Sequence, residues 1–488
     1  MKYLLGIDFG GGASKATLLA EDGTVSAESI YEYPTSYPKS GWAEQNPADW
    51  YTAVCKNVRS VLEKSGVSPS DIEAVALDAA THTAVLADED FNVICPAIYW
   101  TDTRCVEQVK KLKESAELIQ KQALHSPDTI WTLPQLMWVR EHEPEVWSRT
   151  KRIMFAKDYV RHMLTGDYVT DYIEAEGSML FDFGNMRWSE ELCGIAGLKT
   201  ELLPRIVKPS DIVGEINTAA ASDTGLCAGT PVVCGTTDTV MEVFASGSVK
   251  KGSMTVKLAT AGRICVVTDR AYPDKQLVNY SHAIDGLWYP GTATKSCAAS
   301  YRWYRDTFGG DYRELDEKAA EIPPGADGLV FHPYLNGELT PYADPSLCAS
   351  FVGMRAGHTK AHFSRAVLEG VAMSLLDCKR ELERIGIPHE ESASIIGGGG
   401  KSPLWRQITA DVLGITLVQK KYSDSSFGSA MLAGTAVGVF ASLESAAEIC
   451  CKTVSETSPD MERHEEYLKI FERYKAVHDA LAPLYNAH

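Results

Sequence analysis

The stretch YLLGIDFGGGASKATLLAEDG, Tyr3 to Gly23, decides the fold. An apolar run carrying Asp8 enters a turn of small residues, Gly10-Gly11-Gly12-Ala13-Ser14, and a second apolar run follows it. That pattern predicts a β-hairpin with a small-residue turn. Residues 252 to 269, GSMTVKLATAGRICVVTD, repeat it with the turn Ala259-Thr260-Ala261-Gly262. The two hairpins lie about half a chain apart, which predicts a duplicated, two-domain architecture.

Strand and helix signals alternate after each hairpin, so each half reads as α/β. In the first half ADWYTAVCKNVRSVLEKSG predicts a helix ending at Gly66, and IEAVALDAA, FNVICPAIYW and KRIMFA predict buried strands. In the second half Thr359 is a candidate N-cap for a helix whose apolar face runs from Phe363 to Ile385. ASIIGGGG predicts a strand entering a glycine turn, and Ser402-Pro403 opens a helix that stops near Gly414. MERHEEYLKIFERYKAVHDALAPLY predicts an amphipathic closing helix with a solvated charged face. The domain boundary is expected near Ser246 to Gly252, giving domains 1–248 and 249–488.

Composition narrows the class. The 488 residues carry 47 Lys and Arg against 65 Asp and Glu, a formal charge of −18. That balance argues against nucleic-acid or membrane-surface partners, which need clustered cations. It leaves anionic ligands open, because backbone dipoles bind anions locally. No spanning or targeting segment is read, and the twelve cysteines form no Cys-x-x-Cys pair, so reduced cysteines in a cytoplasmic protein are expected.

Five groups carry candidate chemistry. The turn Gly10, Gly11 and Gly12 lets backbone N–H groups approach phosphate, with Asp8 as a candidate cation ligand and Lys15 as a candidate phosphate contact. A plain glycine hairpin with a surface lysine fits the same residues. Thr260 and Gly262 form the matching turn, whose amides and hydroxyl suit a terminal phosphate, as an ordinary turn would also read. Gly397 to Gly400, before Lys401 and Ser402, leave room for a nucleotide against backbone at a helix start. Asp238, after the strand TPVVCG, is a candidate general base or metal-associated carboxylate, against the common role of a helix cap. Thr81 and His82, with Trp100, Asp102 and Arg104, suit a polyhydroxy ligand against an aromatic wall. A structural histidine and a local Asp102–Arg104 ion pair are the alternatives.

Taken in order, these motifs resemble the FGGY carbohydrate kinase family, most closely its xylulokinase branch. PAIYWTDTR, KDYVRHMLTGDYVTDYIEAEGSMLFD, GLCAGTPVVCGTTDTV, HPYLNGELTPYADP, HTKAHFSRAVLEGVAMSL and GGGGKSPLWRQITADVLG carry the likeness over nearly the whole chain. The resemblance implies two ribonuclease-H-like domains of the actin/hexokinase superfamily flanking a deep cleft. It also implies ATP and Mg²⁺ and a sugar acceptor. By resemblance, Asp238 matches the general base and contacts both sugar and metal. Asp8 matches the magnesium-associated carboxylate. Gly10, Gly11, Gly12, Lys15, Thr260, Gly262, Gly398, Gly399, Gly400 and Ser402 match ATP-binding positions. Thr81, His82, Trp100 and Asp102 match the sugar side. A homodimer is expected from the resemblance alone.

Three segments depart from the family pattern. Gly11 stands where the first loop usually has Thr, and Ala259 and Ala261 replace Gly and Ser of the second. Ala79-Ala80-Thr81-His82-Thr83 replaces Gly-Gln-Met-His-Gly, so of that signature only His82 remains. Ketopentoses, alditols and a deoxy sugar are the open acceptors. A non-catalytic sugar- or nucleotide-binding relative is the alternative reading. The retained Asp8, Asp238, Thr260 and glycine run favour catalysis.

Overall fold

A computed structural model describes residues 1–485. The chain forms two compact units. The first comprises Met1–Val249, Tyr280–Gly286 and Tyr422–Cys451, and the second Lys250–Asn279, Leu287–Lys421 and residues from Lys452 onward.

In the first unit β1 (Tyr3–Phe9), β2 (Ala13–Ala20), β3 (Val25–Glu32), β4 (Ile72–Ala79), β5 (Ile212–Glu215) and β6 (Pro231–Thr237) build one sheet. Their order is β5-β6-β4-β1-β2-β3. β1, β2 and β3 run antiparallel in turn, β4 is parallel to β1, β6 is parallel to β4, and β5 closes the edge antiparallel. β4 is almost wholly buried whereas the edge strand β3 is largely exposed, as their apolar and mixed sequences require.

The second unit repeats this plan with β7 (Met254–Leu258), β8 (Gly262–Val266), β9 (Gly291–Thr294), β10 (Ser392–Ile396), β11 (Thr416–Lys420) and β12 (Thr453–Thr457). The order is β9-β8-β7-β10-β11-β12 and, read from its β12 edge, it has the same sequence of antiparallel and parallel neighbours as the first sheet read from β5. The hairpin echo is therefore a repeat of whole sheets.

Helices cover these sheets at the predicted places. α1 (Pro47–Ser65) is capped by Asn46, whose side chain accepts from Ala48 N, and ends at Gly66 in the left-handed region. It buries Trp50, Ala53, Val54, Val58 and Val61 in the first core. In the first unit α2 (Ala156–Thr165), α3 (Tyr172–Gly177) and α4 (Asp238–Ala245) follow, and α3 and α4 place side chains discussed below. In the second unit α5 (Lys360–Ile385) starts from Thr359 in a reciprocal cap with His362, and α6 (Pro403–Leu413) runs from Ser402 to Gly414. α7 (Ser425–Ala436) belongs to the first unit, and α8 (Met461–Tyr485) lays Tyr467, Phe471 and Tyr474 into the second core.

Two expectations change. FNVICPAIYW is not one buried strand: only Ala97–Ile98 is strand, because turns break the run on both sides. The stretch 249–488 is not a continuous unit, because α7 packs on β1 of the first sheet. A Cβ at Gly6 would collide with the Ser426 carbonyl, so glycine lets that helix lie against the strand. Thr17 Oγ and Ser426 Oγ then share a buried 2.7 Å hydrogen bond. Among the described residues no helix is long and apolar enough to cross a membrane, and all twelve cysteines are free.

Candidate active site

The first unit gathers carboxylates at one end of its sheet. Asp8 near the end of β1 is the register partner of Asp78 on β4, and Asp78 is in turn the partner of Thr236 on β6. Side chains of directly opposed residues leave a sheet on the same face. Asp78 is fully buried and accepts a 2.5 Å hydrogen bond from Ser429 Oγ on α7. Burial, then the charge of Asp238, push Asp8 up to about 7, and a hydrogen bond from Asp78 opposes the rise. Burial and the charge of Asp8 raise Asp78 well above the usual carboxylate range. Two carboxyls so placed disfavour each other's charge, so both shifts run upward.

Asp238 follows β6 as the first residue of α4, and Thr237 occupies the cap position. Its Oδ1 accepts from Thr239 N at 2.6 Å and from Thr239 Oγ at 3.1 Å. These contacts orient the carboxylate.

The glycine turn beside Asp8 is tightly fitted on one side and open on the other. Gly10 has φ 144° and a Cβ there would meet Ala80, while its N–H donates to Tyr33 OH at 2.6 Å. At Gly11 a Cβ would meet nothing within 4 Å. Lys15, expected to reach a phosphate, instead places Nζ 2.7 Å from Glu28 and 3.0 Å from Asp424. It bridges β3 to the residue that caps α7.

The second cluster of the first unit surrounds His82. Thr81 Oγ and His82 N donate to Glu174 Oε1 at 3.0 and 3.1 Å, and His82 Nε2 lies 2.6 Å from Tyr280 OH. Trp131 packs 4.6 Å from the imidazole, and His125 stacks on Trp131. Trp100 is an exposed aromatic. Asp102 is buried, and its oxygens accept from Ala43 N and from Arg104 N and its guanidinium. Arg104 lies over the rings of Trp42 and Trp138 and also meets Glu44. The local ion pair is thus what the structure places at 102 and 104.

In the second unit the turn between β7 and β8 exposes Thr260, and its carbonyl accepts from Cys297 N. Gly262 is packed, with Cys297, Leu375 and Thr294 each 3.1 Å from an added Cβ. Of the four consecutive glycines, Gly398 alone has no atom within 4 Å of a Cβ. Gly399 sits against Trp405 and Leu258, and Gly400 against Ile395. Ser402 Oγ donates to Asp316 and accepts from Trp405 N, so its hydroxyl holds the start of α6.

Sequence reading missed Asp78, Glu174 and Tyr280. Asp78 had a signal, a carboxylate at the end of the apolar run Ala74–Leu77. Tyr280 had none, since only folding brings it to His82.

Comparison with known proteins places the molecule. The profile of the FGGY family of carbohydrate kinases matches with its N-terminal domain at residues 3–245 and its C-terminal domain at residues 232–437. The chain belongs to the FGGY family of carbohydrate kinases. Xylulose kinase of Bacillus subtilis strain 168 is 32% identical over 98% of this FGGY kinase and 97% of its own length. The crystal structure of xylulose kinase from Rhodospirillum rubrum superposes with a TM-score of 0.91 at 27% identity, covering 99% of this chain and 100% of the other. That of gluconate kinase from Lactobacillus acidophilus gives 0.92 at 26% identity, covering 99% of both chains. This FGGY kinase is a sugar kinase, moving a phosphoryl group from ATP to an alcohol group.

Proposed function

We propose that this FGGY kinase phosphorylates a ketopentose such as xylulose, or a related sugar or polyol, with Asp238 accepting the proton of the attacking hydroxyl. The observation that carries the reading is the division of labour among three acidic groups of one sheet end. Burial and mutual charge hold Asp8 and Asp78 toward their protonated forms, while Asp238 is oriented by its own helix start. A proton acceptor must be charged and fixed in direction, and phosphoryl transfer otherwise needs positioning and charge neutralisation. The likeness to xylulose and gluconate kinases supports a polyhydroxy acceptor.

Asp8 is the candidate Mg²⁺ residue. Among the described residues no three His, Cys, Asp or Glu groups converge as a metal site. A hard cation at Asp8 would draw its other ligands from phosphate oxygens and water, as Mg²⁺ ordinarily does. When bound it would neutralise phosphate charge. Within the first unit Gly10, Gly11 and Gly12 are candidate backbone contacts for phosphate, and within the second Thr260, Gly262 and Gly398 to Gly400 are candidate nucleotide contacts. Exposure of Gly11, Thr260 and Gly398 supports this. On the sugar side Thr81, His82 and Trp100 are the candidates.

The test is ADP release with Mg-ATP across pentuloses, hexuloses, alditols and aldonates. Release that depends on a pentulose or a close relative is expected. ADP release independent of any acceptor, or none with all of them, would overturn the reading.

A further inference from the structure

We propose that Glu174 and Glu176 on α3 are positioning residues for the sugar loop, holding His82 from its main-chain and its ring sides. The inference rests on the reading that Thr81 and His82 bind the sugar.

His82 has φ 73°, in the left-handed region that a side-chain-bearing residue seldom adopts. Such a conformation persists only where the surroundings over-determine it. Here they do. Glu174 accepts from His82 N and from the neighbouring Thr81 Oγ. Thr132 Oγ donates to the His82 carbonyl at 2.8 Å. Helix α3 also lies close beneath the loop: a Cβ at Gly177 would be 2.5 Å from Thr81 Oγ and 2.8 Å from His82 Cδ2.

The ring is held from the other side. His82 Nε2 meets Tyr280 OH at 2.6 Å, and the residue after Tyr280 is clamped by Glu176. Ser281 N and Oγ both donate to that carboxyl, at 2.8 and 2.6 Å. Two residues of one short helix therefore fix the backbone of His82 and, through Ser281, the residue that fixes its ring.

Both glutamates are buried, at 1% and 0% exposure. A buried carboxyl is costly unless its partners satisfy it, so a purely apolar packing role would not select this pair. Burial pushes both up to about 8. A neutral carboxyl is mimicked by glutamine, which keeps an oxygen acceptor of the same reach.

The experiment compares Glu174→Ala, Glu174→Gln, Tyr280→Phe and His82→Ala by KM for sugar, KM for ATP and kcat. Glu174→Ala is expected to raise the sugar KM about tenfold with the ATP KM within about twofold, because misplacing a binding group costs acceptor binding first. Glu174→Gln should recover most of that loss. Tyr280→Phe, which keeps the ring volume, should raise the sugar KM about fivefold. If His82→Ala leaves the sugar KM unchanged, the sugar reading fails and the inference with it. If His82→Ala raises it while Glu174→Ala and Tyr280→Phe do not, the positioning role alone is overturned. Should the alanine variant not fold, Tyr280→Phe still decides. Equal rises in both KM values would mark a general structural defect and overturn the proposal.

Discussion

Asp8 and Asp78 are direct register partners on two adjacent parallel strands, so two carboxyls stand side by side where one strand end would ordinarily present a single one. Asp78 keeps its proton far above the usual carboxylate range, chiefly through burial. In the unfolded chain it would ionise near pH 4. Between that pH and its raised native value the folded protein binds the extra proton, so this group costs stability increasingly as pH rises. Asp78→Asn should remove that cost while keeping an acceptor for Ser429 Oγ. Urea unfolding should show the variant gaining on the parent between pH 5 and pH 8, by up to about 1.4 kcal/mol per pH unit. An equal stability difference at both pH values would contradict a protonated Asp78.

Asp8, raised to about 7, titrates in the physiological range. Below that pH a cation must displace its proton, and above it no proton is lost. Apparent Mg²⁺ affinity should therefore strengthen from pH 6 to pH 8, by up to about tenfold per unit below 7. Half-saturating Mg²⁺ measured at fixed ATP checks this. A flat profile would remove Asp8 from the metal's ligands.

Asp238→Asn keeps the hydrogen-bonding shape at the start of α4 but removes the proton acceptor. Turnover is expected to fall by about 10²- to 10⁴-fold. ATP binding, read by calorimetry, should remain near the parent value. A variant that turned over at close to the original rate would exclude Asp238 as the base.

The four glycines of the second unit should respond unequally. Gly397 has φ 89°, and a Cβ there would lie 2.6 Å from the Leu258 carbonyl. Gly397→Ala should cost more than about 2 kcal/mol in denaturant unfolding. Gly398→Ala faces open space and should change stability by less than about 0.5 kcal/mol. If the nucleotide lies against this turn, Gly398→Ala should instead raise the ATP KM. Equal stability losses at both positions would refute the packing assignment.

The glycine run shows what sequence reading can and cannot separate. Its helix start was legible because Ser402 and Pro403 are local signals, and Ser402 does cap α6. Which glycine is free was not, because Leu258 and Trp405 come from distant elements. Lys15 teaches the same lesson. Its place on the hairpin followed from the alternation of the strand, but its ion pair with Asp424 depends on a helix more than 400 residues later in the chain.

The sequence by itself determined the two hairpins, the sheets they begin, the ends of α1, α5 and α6, and the position of Asp238 at a strand-to-helix junction. Periodicity, caps and turn residues act over a few neighbours, so each is written where it acts. Tertiary structure alone decided that Asp78 faces Asp8, that Tyr280 and Glu174 hold His82, and that α7 lies on β1. Those pairings join residues 70 to 430 positions apart, and their energy comes from burial and shared hydrogen bonds that no local pattern encodes.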